Sequence, residues 1–192
     1  GVFLNDKYRY LIKGTAQADS VSWNAHKMMN VPLVASALLM KKKGLLSKHY
    51  SQKSDYLYQN EADEWNPGLS SLQCGRRNDA FKVWAAWKYY GKEAYAQRTE
   101  KQFDLAAYAV KKINEDASLQ LLMAPEFLNV CFTVKGISAI ELCNDLYEQG
   151  LVQVSYGRWK NKTFVRLILV NPDLVQKDLD YFFYTVNKHI SN

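Results

Sequence analysis

The sequence predicts an α/β fold in two parts: an α/β portion over residues 1–115 and a smaller α+β domain over 116–192. Three observations carry this. Leu33-Val34-Ala35-Ser36-Ala37-Leu38-Leu39-Met40 is almost wholly apolar, as suits a strand covered on both faces of a mixed or parallel sheet. Residues 77–90 and 92–115 carry apolar side chains at helical spacing, with Gly91 between the two stretches. Residues 152–159 and 163–170 flank the Asn161 turn as a hairpin.

The elements follow in chain order. Tyr8, Tyr10, Leu11 and Ile12 among basic residues predict a short helix over 6–17, ending near Gly14. Residues 19–23 and 33–40 read as strands, and Gly44 to Tyr50 as one or two helical turns. Residues 51–75 are polar, with Tyr56, Leu57, Tyr58 and Trp65 interspersed. A loop of that length is functional or mobile. Phe81, Val83, Trp84 and Trp87 define the apolar side of the helix over 77–90. Tyr95, Phe103, Leu105, Ala106, Tyr108, Ala109 and Ile113 define that of 92–115. Leu119–Met123 and Asn129–Val134 read as strands with Pro125 between them. Ser138 and Glu141 form a capping box for a helix that Gly150 stops. Asn171-Pro172-Asp173 opens a last helix to about His189. The smaller domain is therefore three or four antiparallel strands with two helices.

Composition narrows the function. Hydrophobic residues make up 48% of the 192 and charged residues 23%, an ordinary globular balance. The formal net charge is +6, but Lys41-Lys42-Lys43 is the sole run of three basic residues. A nucleic-acid module would cluster Lys and Arg on one face, which this sequence does not show. Three cysteines, Cys74, Cys131 and Cys143, are widely spaced and lack a Cys-x-x-Cys pattern, which points to a reducing, cytoplasmic compartment. His26, His49 and His189 are too scattered for a metal site. No apolar run is long enough to span a membrane.

The chemistry centres on Ser22-Trp23-Asn24-Ala25-His26-Lys27-Met28-Met29, a strand-to-loop junction between two expected strands. A lysine becomes a nucleophile only when its amine, with an ordinary pKa near ~10.4, loses its proton. Desolvation at a pocket wall favours that loss. With Ala18-Asp19-Ser20-Val21 before it, this string resembles the lysine segment of the group II pyridoxal-phosphate-dependent amino-acid decarboxylases, whose typical form is Asp-Ser-x-x-Trp-Asn-Pro-His-Lys. Ala25 stands where many members have proline. The resemblance implies the C-terminal part of an aspartate-aminotransferase-like large domain followed by a small α+β domain. It implies pyridoxal 5'-phosphate as cofactor, Lys27 as its Schiff-base lysine, and His26 and Asn24 beside it, near the phosphate.

Three further stretches match in family order. Asp55-Tyr56-Leu57-Tyr58-Gln59 resembles the mobile catalytic loop of the glutamate decarboxylases, which implies Tyr56 as general acid. A phenol with a pKa near ~10 is protonated at neutral pH and can donate. The loop is a little shorter than in the animal glutamate enzymes. Gln73-Cys74-Gly75-Arg76 matches a stretch that lies by the cofactor phosphate and the dimer interface, which implies Cys74 and Gly75 as cofactor contacts. Phe164-Val165-Arg166-Leu167, followed by Asn171-Pro172, resembles the C-terminal strand whose arginine pairs with a substrate carboxylate, so Arg166 is the substrate-binding candidate. A guanidinium fork matches a carboxylate at two points.

The expected activity is α-decarboxylation of an L-amino acid. The residues around Trp23-Asn24 and Gln73-Cys74 are closer to the enzymes for acidic substrates: glutamate, aspartate or cysteine sulfinate. The alternatives are a decarboxylase of diaminobutyrate or an aromatic amino acid, and a non-catalytic chain that binds a partner subunit. Gly1-Val2-Phe3-Leu4 begins inside an apolar element without an initiator methionine, so these residues are expected to be the C-terminal portion of a longer polypeptide. The aspartate that protonates the pyridine nitrogen and the residue that stacks on the ring belong upstream of Gly1. The portion alone is expected to be inactive, and the full-length protein to be a homodimer.

Overall fold

A computed structural model describes residues 1–51, 67–73 and 75–191. Tyr56 and Cys74 lie outside the described residues. By compactness the chain divides between Glu93 and Ala94.

In the first unit, residues 1–17 form three short 3-10 segments, Val2–Leu4, Asp6–Ile12 and Thr15–Gln17. The Asn5 carboxamide accepts the Lys7 N–H at 3.0 Å and caps the second. The expected short helix over 6–17 is thus wound as separate 3-10 segments. It breaks at Gly14, whose φ of 93° is one that a residue with a Cβ rarely adopts. Strand β1 (Ser20–Asn24) pairs antiparallel with β2 (Ser36–Met40), from Ser20↔Met40 to Asn24↔Ser36. Helix α1 (Leu45–Tyr50) follows.

The expectation that residues 33–40 are a strand covered on both faces needs correction. The strand begins at Ser36, and Leu38 and Leu39 are 52% and 59% exposed. Among the described residues β2 has a single hydrogen-bonded neighbour, β1. Its apolar character therefore exceeds what those residues bury.

Helix α2 (Asp79–Glu115) is interrupted at Gly91, where φ 71° and ψ 178° leave the helical region. The glycine punctuates the helix where the sequence pattern separates two. In the first stretch, Phe81 and Trp84 stack at 5.5 Å and both are exposed. Lys82 pairs with Asp79 at 2.6 Å and donates to the Val34 carbonyl at 2.8 Å, which ties this stretch to the chain two residues before β2.

The second unit is built on a four-stranded antiparallel sheet. Its strands β3 (Leu119–Leu121), β4 (Asn129–Val134), β5 (Ser155–Trp159) and β6 (Lys162–Ile168) lie in the order β3-β4-β6-β5. Helices α3 (Ala139–Glu148) and α4 (Gln176–Ile190) complete the expected α+β pattern. Alternation of side chains along a strand sends Val130, Phe132, Val134 and Val165 to one face, where all are buried. Phe132 meets Phe182 and Phe183 of α4 at 6.3 and 6.1 Å. Leu142 and Leu146 of α3, and Leu105, Ala109 and Ile113 of α2, are buried in the same unit.

Polar contacts seat the rest. Gln102 donates to the Val170 carbonyl at 2.6 Å, and Lys101 to that of Pro172 at 2.9 Å. Asp180 of α4 accepts the Tyr108 hydroxyl at 2.6 Å and pairs with Lys112 at 2.9 Å. Ser138 caps α3 by accepting the Ile140 N–H at 3.3 Å. The last helix starts later than expected. Asn171 accepts the Asp173 N–H at 2.9 Å in a local turn, and the Asp178 carboxylate accepts the Val175 N–H at 2.9 Å.

Asp116 gives this unit an acid-sensitive contact. Burial would raise its pKa, but donation from the Ser118 hydroxyl (2.6 Å), the Ser118 N–H (2.9 Å) and the Asn187 amide (2.5 Å) outweighs burial. The carboxyl is held below its usual range. A depressed folded-state pKa stabilises the protein above the unfolded value, near ~4, and that stability is lost as pH falls through the folded one. Asp116→Asn is therefore expected to lose less stability than the parent between pH 5 and 3, read from urea midpoints. Equal acid slopes would contradict this.

Candidate active-site residues in two units

The connection between β1 and β2 is pinned at both ends. Ala25, Met29, Val31 and Ala35 are at most 2% exposed and anchor it. The Lys27 N–H donates to the Asn24 carbonyl at 3.2 Å, Asn30 N–H to the Lys27 carbonyl at 2.9 Å, and Val31 N–H to the Ala25 carbonyl at 3.2 Å. The alternation of polar and apolar residues through this string thus makes a tight turn with Lys27 on its outer side.

Three polar side chains meet where this turn joins the two strands. The Ser36 hydroxyl donates to the Asn24 carboxamide oxygen at 2.8 Å and lies 3.4 Å from His26 Nδ1. The Ala35 N–H donates to that same Nδ1 at 3.2 Å, and the Ala35 carbonyl lies 3.0 Å from it. The Ala35 backbone occupies Nδ1, which leaves Nε2 as the imidazole atom free to meet a ligand. With Asn24 Oδ1 engaged, its NH₂ group is the part left to donate. Lys27 itself is exposed and has no ion-pair partner among the described residues. The desolvated pocket wall expected from the sequence is not formed by the described residues of this unit.

Ser36 was not singled out by sequence reasoning. Its signal was the lone hydroxyl within the apolar run 33–40. It also lines a cleft of about 830 Å³ together with Ser71, Gln73, Arg76 and Arg77. Asn24, His26 and Lys27 do not line that cleft, so Ser36 is the link between the His-Lys turn and the Gln73–Arg76 stretch. Gly75 is exposed, and a Cβ there would meet nothing within 4 Å. Arg76 donates to the Gln73 carbonyl at 2.5 Å, which folds the stretch on itself.

In the second unit, Arg166 lies on the sheet face opposite Phe132 and Val165. Its backbone pairs with Cys131 of β4 and Ser155 of β5, and the Ser155 hydroxyl donates to the Arg166 carbonyl at 3.2 Å. The side chain is exposed and has no carboxylate partner among the described residues. Burial pushes the Cys131 thiol up, and the Arg166 charge pulls against it. Arg166 also borders a cleft of about 560 Å³ with Ser155, Asn171 and Asp178. An unpaired guanidinium on a rigid central strand can take a carboxylate from outside the protein.

The mixed α/β architecture is that of the fold-type I pyridoxal-phosphate-dependent decarboxylases. The crystal structure of mouse CSAD matches 96% of this chain and 42% of its own length, with a TM-score of 0.85 and 30% sequence identity. Residues 1–135 match the pyridoxal-dependent decarboxylase conserved domain, and the chain belongs to that family. Among its relatives, acidic amino acid decarboxylase GADL1 of Mus musculus is 34% identical over 197 residues, which cover 91% of this chain and 36% of that protein. Cysteine sulfinic acid decarboxylase of Rattus norvegicus is 32% identical over 203 residues, covering 94% and 41%. The chain thus spans about two fifths of the length of these relatives.

Proposed function

We propose that the protein containing this chain is a pyridoxal-phosphate-dependent α-decarboxylase of an acidic L-amino acid: glutamate, aspartate or cysteine sulfinate. The observation that carries this reading is that Asn24, His26 and Ser36 are joined by hydrogen bonds at the turn that bears Lys27, an exposed lysine with no ion-pair partner among the described residues. An imidazole nitrogen and a carboxamide NH₂ suit a phosphate oxygen, and an amine with no carboxylate partner among the described residues suits condensation with an aldehyde. The names of the GADL1 and cysteine sulfinic acid enzymes support an acidic substrate.

Lys27 holds the cofactor in this reading. His26 and Asn24 donate to it through Nε2 and the carboxamide NH₂, and Cys74 and Gly75 adjoin the phosphate. Arg166 binds a substrate carboxylate through its fork. Tyr56 returns a proton to the carbon that has lost carbon dioxide. Pyridoxal phosphate, when bound, withdraws the electron pair left by the broken bond, and the protein selects which bond breaks.

The large-domain portion runs to residue 115 in this reading, and the small domain covers 116–192. The assembled protein is a cytoplasmic homodimer that binds neither membrane nor nucleic acid. Two free thiols, Cys131 and Cys143, are consistent with a reducing compartment. Among the described residues no helix is long and apolar enough to cross a membrane.

The test uses protein expressed with its native upstream sequence, supplied with pyridoxal phosphate and a panel of amino acids. Carbon dioxide release is expected from acidic substrates, with aromatic substrates and diaminobutyrate inactive. Tyr56→Phe is expected to slow amine formation by about 10²-fold or more, as removal of a general acid does. Full-rate amine formation by that variant would remove Tyr56 from the mechanism. Absence of carbon dioxide from every substrate would overturn the activity.

A further inference from the structure

We infer that Gly157 and Phe164 are positioning residues for Arg166: the space left by the glycine seats the phenylalanine ring beside the arginine's path, and this aims the guanidinium. The inference rests on the proposed role of Arg166 in binding a substrate carboxylate.

Gly157 and Phe164 are direct cross-strand partners on β5 and β6. A Cβ built on Gly157 would lie 2.5, 2.7 and 3.3 Å from three atoms of the Phe164 ring, and these are the nearest atoms it would meet. The ring thus lies over the glycine and fills the volume that any other residue would claim. Gly157 does not have a positive φ, so backbone freedom does not account for glycine here. In a strand interior glycine forgoes both side-chain packing and backbone restriction. The close approach of the ring is the compensating contact.

Phe164 and Arg166 are two residues apart on β6, so they point to the same face with their Cα atoms about 7 Å apart. Directly opposite Arg166 on the neighbouring strands stand Cys131 and Ser155, both small. The wall on the Phe164 side is therefore set by how that ring lies. A long arginine side chain gives up considerable rotamer freedom when it binds a carboxylate. A ring held down on Gly157 restricts that freedom in advance, whereas a ring lifted by a methyl group would enter the volume through which the guanidinium reaches out.

The inference is tested in the intact holoenzyme with Gly157→Ala, Phe164→Leu, the double variant and Arg166→Ala. Binding of glutarate, a non-reacting dicarboxylate, is measured by calorimetry, and kcat and KM are measured with the acidic substrate. Gly157→Ala is expected to raise the glutarate Kd and the KM about tenfold with kcat nearly unchanged, the pattern of lost uniform binding. Phe164→Leu is expected to give a smaller loss. The double variant is expected to match Phe164→Leu, because the added methyl then meets no ring. A Gly157→Ala Kd within about twofold of the parent, the scale of a negligible free-energy change, overturns the inference. So does a double variant as impaired as Gly157→Ala. Should Gly157→Ala fail to fold, Phe164→Leu decides, and an unchanged Kd there overturns it. If Arg166→Ala binds glutarate as the parent does, the proposed role of Arg166 fails and takes this inference with it. If Arg166→Ala alone loses binding, only the positioning role fails.

Discussion

Lys27→Ala is expected to abolish decarboxylation, by at least about 10³-fold, the scale on which losing a covalent catalytic group is felt. It is also expected to remove the visible absorption of the lysine-linked cofactor. The side chain makes no ion pair among the described residues and is exposed, so its loss leaves no buried group without a partner. Its backbone N–H and carbonyl, which hold the turn to Asn24 and Asn30, are untouched by the substitution. Stability should therefore change by no more than ~0.5 kcal/mol, as for an ordinary surface position. Lys27→Arg sharpens the test. Guanidinium keeps the positive charge but stays protonated at any working pH, so it cannot condense with an aldehyde. Equal loss of activity in both variants, with melting temperatures unchanged, assigns the nitrogen a covalent role. An absorption band that survives in Lys27→Ala assigns the linkage to another lysine.

The parts of the molecule legible in the sequence are those that local rules decide. The Asn161 hairpin, the Gly91 interruption of α2 and the strand pair around His26-Lys27 each follow from turn chemistry or side-chain period. The order β3-β4-β6-β5 agrees with the expected antiparallel α+β part: β5 and β6 pair across the tight Lys160-Asn161 turn, and β4 alternates buried Val130, Phe132 and Val134 with its other residues. Burial was less legible. Leu38 and Leu39 read as core residues from composition alone, yet apolar character records only that a surface tends to leave water, not which surface covers it. The same holds for the environment of Lys27. A motif singles out an amine as a candidate, while desolvation depends on groups distant in sequence.

Ser36 and Gly157 were hidden for a different reason. Ser36 meets Asn24 and His26 across a strand pair, and Gly157 meets Phe164 across another. Cross-strand partners are set by register, which a one-residue slip would change entirely. The pattern of residues along one strand does not contain it. The division between compact units shows the same limit. The change of rhythm after Asp116 marks where strands begin, whereas compactness changes at Glu93/Ala94, because the later turns of α2 bury Leu105, Ala109 and Ile113 in the second unit.

Phe132→Ala is expected to cost about 3–5 kcal/mol of stability, the range for truncating a fully buried aromatic residue. Phe132 is 0% exposed, and it meets Phe182 and Phe183 of α4 from the centre of β4. Those two rings are themselves 5.1 Å apart. Removing Phe132 takes one member from a three-ring cluster whose neighbours can only partly close the gap. A domain is stable by roughly 5–15 kcal/mol in total, so a loss of this size brings the second unit close to unfolding at ordinary temperature. The consequence reaches Arg166 through register. Phe132 pairs with Val165, and the adjacent Cys131 pairs with Arg166. The strand that presents the guanidinium on one face is thus held by the aromatic cluster on the other. Phe132→Leu keeps much of the apolar volume and should cost distinctly less. The urea midpoint of Phe132→Ala should fall well below that of Phe132→Leu. A fall equivalent to less than ~1 kcal/mol, the size of a typical surface change, would show that the sheet does not depend on this cluster.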